Sequence, residues 1–100
     1  MLRVTVVEKG PDAKLTLEGS LDMSTGDVLR DTVGGLDIDD LTSLTFSIGG
    51  LELIDSTGIG QLIGYHRLLR QRQGRVYIEN DNREIEEILE LIGVREILEP

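Results

Sequence analysis

The residues most able to carry chemistry lie together at Asp55-Ser56-Thr57-Gly58-Ile59-Gly60. Asp and Ser both favour the start of a helix, because a side-chain oxygen can accept from the first unpaired backbone N–H groups. Asp55 or Ser56 is therefore expected to be an N-cap. A hydroxyl at that place has a second capacity, since the aligned dipoles and free N–H groups of a helix start stabilise a phosphate. Three other chemistries fail on pattern. A hydrolase elbow would need Gly-x-Ser-x-Gly, and the single histidine, His66, follows Ser56 by ten residues. On one helix that is about 15 Å at 1.5 Å per residue, where a base must stand within about 3 Å. The series Gly58, Gly60, Gly64 is not in the tight turn of a dinucleotide fingerprint if the preceding strand ends before Gly49. Asp37-Ile38-Asp39-Asp40 begins like a calcium loop, but Thr42 stands where that loop needs Gly and Ile48 where it needs Glu.

The elements that must position this stretch follow from periodicity. Leu44-Thr45-Phe46-Ser47-Ile48 is apolar and β-branched enough for a buried strand. Ile59, Leu62, Ile63, His66 and Leu69 recur at helical spacing behind the loop, with Arg67, Arg70 and Arg72 as solvated charges near the negative end and Gly74 as the stop. Upstream, residues 2–8 alternate as a first strand. Lys9-Gly10-Pro11-Asp12 has the composition of a four- to five-residue hairpin loop, and Lys14–Glu18 alternates again. Ser24-Thr25-Gly26-Asp27 resembles a capping box opening a helix whose apolar face is Val28, Leu29, Val33 and Leu36, ending near Gly34-Gly35. Downstream come a strand at Val76-Tyr77-Ile78, a turn with its own cap at Asn80-Asp81-Asn82, and an amphipathic helix marked by Ile85, Ile88, Leu89 and Ile92 and stopped by Gly93. The order is ββαβαβα: a small, mixed, mostly parallel α/β sheet packed by helices, the first two strands antiparallel and each crossover right-handed.

One hundred residues suffice for a single domain over 1–100, and three aromatic residues leave the core aliphatic. The net charge of −9 opposes a nucleic-acid or anionic-membrane partner and suits a basic protein surface. Without cysteine there is no disulfide and no thiolate catalysis. No apolar run reaches the roughly 20 residues of a membrane span, and the N-terminus lacks a signal peptide's apolar block. A cytoplasmic protein without cofactor or metal is the expectation.

Four places resemble one family, the STAS-domain anti-sigma factor antagonists. Asp55-Ser56-Thr57-Gly58-Ile59-Gly60 after an apolar strand is similar to their phosphorylation loop, and Glu18-Gly19-Ser20-Leu21-Asp22 to the Gly-x-Leu-Asp turn. Gly74-Arg75-Val76 resembles the turn into the last strand, and Leu89–Val94 the terminal helix with its Gly stop. The resemblance implies that Ser56, directly after the Asp, accepts phosphate. It implies a non-enzyme that binds an anti-sigma factor serine kinase when unphosphorylated, frees the sigma factor, and is reset by a serine phosphatase. Asp22, Met23, Asp55, Thr57, Gly58, Ile59 and Gly60 are then the expected partner-facing residues. Family members often add a further C-terminal helix, for which this chain is expected to end too soon. The alternative within the same fold is a scaffold or small-ligand subunit of a larger complex, with Ser56 serving no switch.

Overall fold

The computed structural model describes residues 1–98. Its elements are β1 (Leu2–Glu8), β2 (Asp12–Leu21), α1 (Gly26–Gly34), a 3₁₀ turn (Ile38–Asp40), β3 (Ser43–Ile54), α2 (Ser56–Arg70), β4 (Arg75–Glu79), α3 (Arg83–Ile92) and α4 (Val94–Leu98). The sheet order is β1-β2-β3-β4, with β1 antiparallel to β2 and the other two pairings parallel. This is the expected α/β class and topology.

The alternation of the strands decides which face is covered. Ala13, Leu15 and Leu17 of β2, Leu44, Phe46 and Ile48 of β3 and Val76 of β4 are buried, with Leu29, Val33, Leu62, Leu69, Ile85 and Leu89 from the helices in the same core. Thr5, Thr16, Thr45, Ser47 and Tyr77 point to the other face, which is polar, as expected where only one side of a sheet is packed. Phe46 and Tyr65 stack with ring centroids 5.9 Å apart, joining the sheet to α2.

Five expectations are corrected. First, the hairpin loop is shorter: only Lys9, Gly10 and Pro11 separate the strands, because Asp12 enters the sheet opposite Ser43 and accepts its hydroxyl at 2.7 Å. Second, β3 does not end before Gly49 but runs to Ile54, paired to β2 along its length through two register shifts. The glycines that read as an end are there because the chain is crowded. A Cβ on Gly49 would collide with the Asp81 carboxylate, and one on Gly50 would press on Leu17 O at 3.2 Å. Where β4 stops, Asn82 takes its place: its Nδ2 donates to Leu51 O at 3.0 Å while its Oδ1 caps α3 through Glu84 N and Ile85 N. Third, Val28 is exposed rather than part of the apolar face of α1. Fourth, α2 ends at Arg70, so Arg72 lies beyond the helix, and the left-handed residue of the stop is Gln73 (φ 63°). Gly74 N donates to Leu69 O and Gln73 N to Arg70 O, the paired bonds of a Schellman stop. Gly74 is needed for space, since a Cβ there would meet three carbonyl oxygens at 3.2–3.3 Å.

The fifth concerns the C-terminus. A further helix does form after the left-handed Gly93, the five-residue α4, with Val94 buried. Arg95 fixes it, donating to both carboxylate oxygens of Glu86 (3.1 and 2.9 Å) and to Ile78 O (2.8 Å). That guanidinium holds the Glu86 carboxyl below its ordinary pKa.

Candidate functional site

Parallel β2 and β3 end side by side, Leu21 opposite Ile54, and ligands of parallel sheets gather outside such carboxyl ends. Two turns leave the sheet here. After β3 a single residue, Asp55, joins strand to helix, its N–H donating to Leu21 O at 3.2 Å. Asp55 is extended and is the N-cap of α2: its Oδ1 accepts from Gly58 N at 3.0 Å. Ser56 is thereby released from capping. It is the first helical residue, exposed, as is Thr57. The first intrahelical bond runs from Ile59 N to Asp55 O, so the N–H groups of Ser56 and Thr57 precede it and lie at the positive end of the helix.

Gly58 and Ile59 do not face outward. A Cβ on Gly58 would stand 2.7 Å from Leu21 Cγ and 2.9 Å from Leu21 O, so glycine there lets α2 close onto β2. Ile59 is only 3% exposed and anchors the first turn in the core. Both are buried and shape the loop from beneath. Gly60 and Gly64 are exposed with nothing near a hypothetical Cβ, so Gly64 does not serve close approach to the sheet. All three glycines of the dinucleotide pattern lie within α2, which excludes the tight turn that pattern requires.

After β2, Asp22 Oδ1 accepts from Ser24 N at 2.9 Å and from Ser24 Oγ at 2.7 Å, and these two bonds lower its pKa below the ordinary carboxyl value. Thr25, a role sequence reading missed, is 7% exposed and the only buried polar residue among those described. Its hydroxyl donates to Ser20 O at 2.8 Å and accepts from Asp22 N at 3.0 Å. The expected capping box of Ser24 and Asp27 is absent: Thr25 is the N-cap of α1 and makes no side-chain capping bond. Its hydroxyl is already committed to closing the turn. Met23, held between these clamps, is 82% exposed.

Ser56 and His66 are both on α2, so the separation of about 15 Å set by helical rise holds and no dyad forms. His66 is half-buried, and burial, with Arg70 and Arg67 nearby, pushes its pKa down. Among the described residues no three His, Cys, Asp or Glu side chains gather as metal ligands, and no helix is long and apolar enough to cross a membrane.

Residues 4–99 match the family described as "Mlab, STAS domain", and the chain belongs to this STAS family. No curated protein sequence matches it. Among solved structures, an anti-sigma factor antagonist from Mycobacterium paratuberculosis superposes with a TM-score of 0.77 at 18% identity, over 96% of this chain and 81% of that one. The anti-sigma factor antagonist SpoIIAA in its unphosphorylated form gives 0.76 at 21% identity, over 94% and 82%. SpoIIAA in its phosphorylated form, described as a Bacillus cell fate determinant, gives 0.70 at 20% identity, over 96% and 86%. At such identities the likeness is one of fold.

Proposed function

We propose that this chain is an anti-sigma factor antagonist switched by phosphorylation of Ser56, and that it is not itself an enzyme. The observation that carries the reading is the division of labour at the start of α2. Asp55 does the capping, and Ser56 stands exposed beside it with its hydroxyl uncommitted among the described residues. The Ser56 oxygen attacks the γ-phosphorus of ATP held by an anti-sigma factor serine kinase. The new O–P bond forms as the bond to ADP breaks, ADP leaves with that electron pair, and the hydroxyl proton passes to a base of the kinase. A phosphate so placed gains the helix dipole and the first amides, while adding about −1.5 to −2 charges beside Asp55 and Asp22. The fold tolerates it; a docked partner loses contact space and meets repulsion. A serine phosphatase restores the hydroxyl. Asp22, Met23, Asp55, Thr57 and Gly60 surround the acceptor in this reading, in a cytoplasmic protein with no cofactor of its own.

The test is to incubate the protein with the purified cognate kinase and ATP, then map phosphate by mass spectrometry. Phosphate on Ser56, retained in Thr57→Ala and lost in Ser56→Ala, is the expected result; phosphate on Thr57 alone, or none, overturns it. A second reading, a fixed scaffold or small-ligand subunit of a larger complex, is favoured by one observation: the matched family is described by Mlab, not by an antagonist.

A further inference from the structure

We infer that the β1 edge of the sheet takes a second copy of this chain, β1 pairing antiparallel with the partner's β1 about a two-fold axis at Val4. The two edges of the sheet are finished differently. At the β4 edge the Ile78 carbonyl accepts from Arg95 at 2.8 Å, so α4 guards that side. At the β1 edge, among the described residues, no hydrogen bond from outside the sheet reaches Leu2, Val4 or Val6. The hairpin register shows that the backbone groups of these three are the open ones. Ser20 N donates to Met1 O, and Arg3 and Thr5 lie opposite Glu18 and Thr16 in the same ladder. An antiparallel ladder bonds at alternate residues, so Met1, Arg3 and Thr5 turn their backbone groups to β2, and Leu2, Val4 and Val6 turn theirs outward. The register shifts after Val6, with Glu8 opposite Lys14. Glu8 is thereby back in phase with Arg3 and Thr5, and the outward row ends at Val6.

That bulge selects the occupant's register. One antiparallel alignment gives all three outward residues a partner: Leu2 with the partner's Val6, Val4 with the partner's Val4, and Val6 with the partner's Leu2. A slip of two residues either way leaves one of them facing a residue whose groups already serve β2, or no strand at all. The side chains agree with this alignment, because directly opposite residues share a face of the sheet. Leu2 is buried, and Val4 and Val6 are half-buried against the helix-packed core, so the facing apolar pairs continue that core across the junction. On the polar face Arg3 meets the partner's Thr5, and no two like charges stand directly opposite. The devices that keep edges apart are also missing. From Leu2 to Val6 there is no proline and no bulge, and no charge points to the helix-packed face. The axis reverses β3 together with β1, so the two Ser56 turns come to opposite ends of the joined sheet. The pairing neither uses nor blocks them, and it stands whether or not Ser56 is a switch.

Sedimentation velocity of the full chain should show the mass rising from one chain towards two as concentration is raised to about 1 mM. Amide exchange at Leu2, Val4 and Val6 should slow in step. Val4→Pro removes an outward N–H without touching the bonds to β2, and should leave a folded monomer at every concentration. Cysteine pairs read the register directly, since the chain has no cysteine of its own and Arg3 and Thr5 are both exposed. Arg3→Cys mixed with Thr5→Cys should oxidise to the mixed disulfide at least tenfold over either homodimer. Facing residues of this kind have Cα atoms about 4.5 Å apart, whereas diagonal ones, at about 7–8 Å, exceed the reach of a disulfide. This readout does not depend on how Val4→Pro folds. A chain that stays monomeric to about 1 mM overturns the inference, whatever its amide exchange. A dimer that a folded Val4→Pro leaves intact places the contact elsewhere and overturns it too. So does a dimer whose cysteine variants prefer homodisulfides, because the axis then does not lie at Val4.

Discussion

The turns after β2 and after β3 occupy equivalent places, at the carboxyl ends of adjacent parallel strands, yet they treat their hydroxyls in opposite ways. After β2 the Thr25 hydroxyl is buried and closes the turn between Ser20 O and Asp22 N, and Ser24 bonds to Asp22. After β3 the carboxylate of Asp55 alone secures the helix, and Ser56 and Thr57 are left facing solvent. A hydroxyl with both valences committed inside the protein is part of the structure. One freed by a neighbouring cap can be modified at little cost to the fold. That difference, rather than residue type, separates the acceptor turn from the turn that supports it.

The comparison breaks most visibly if the buried half of either turn can be altered freely. Thr25→Val keeps the shape but leaves Ser20 O and Asp22 N unpaired, and it should cost about 2–3 kcal/mol, measured by urea unfolding. A loss below ~0.5 kcal/mol would mean that the turn closes without its hydroxyl. Gly58→Ala, beneath the acceptor turn, should cost about 1–3 kcal/mol because its Cβ meets the backbone oxygen of Leu21, which cannot rotate away. Unchanged stability would show that α2 does not close on β2 as tightly as described.

Asp55→Ala should lose about 1 kcal/mol, the usual worth of a cap, and Ser56→Ala less than ~0.5 kcal/mol, since Ser56 caps nothing. Reversal of that order in thermal melts would return the cap to Ser56 and remove the basis for its freedom. The smallest effect is on pH. Bonds from Ser24 lower the Asp22 pKa, so its contribution to stability is present above the unfolded value, about 3.9, and disappears as pH falls through the folded value. Carboxyl NMR titration should place the Asp22 midpoint below that of a free aspartate, and Ser24→Ala should raise it. A midpoint at or above the free value would leave this turn unclamped.

Much of the fold was legible because its signals are local. Alternation at Leu2–Glu8 and Lys14–Glu18, the 3.6-residue stripe of Ile85, Ile88 and Leu89, the cap at Asn82 and the left-handed Gly93 are dictated by neighbouring residues in the chain. The sequence also marked Asp55-Ser56 as a helix start, because small polar residues between an apolar strand and an apolar stripe have few other uses. It could not choose between the two as cap. That choice depends on how Asp55, bonded to Leu21 O, is aimed by a strand distant in sequence.

The errors share that origin. The length of β3 depends on β2 lying alongside it to Leu21 and on Asn82 satisfying its far edge, neither visible in the composition of Ile48-Gly49-Gly50. Gly58 looked accessible in a polar loop and is buried, because the crowding comes from Leu21 on another strand. Helix α4 is five residues long, too short to sustain itself, and is held by Arg95 reaching Glu86 and Ile78 across two other elements. The chain by itself thus determined periods, caps and stops, which act within a few residues. Burial, strand length and the fate of each hydroxyl were decided by contacts between residues far apart in sequence, which only the packed sheet and helices bring together.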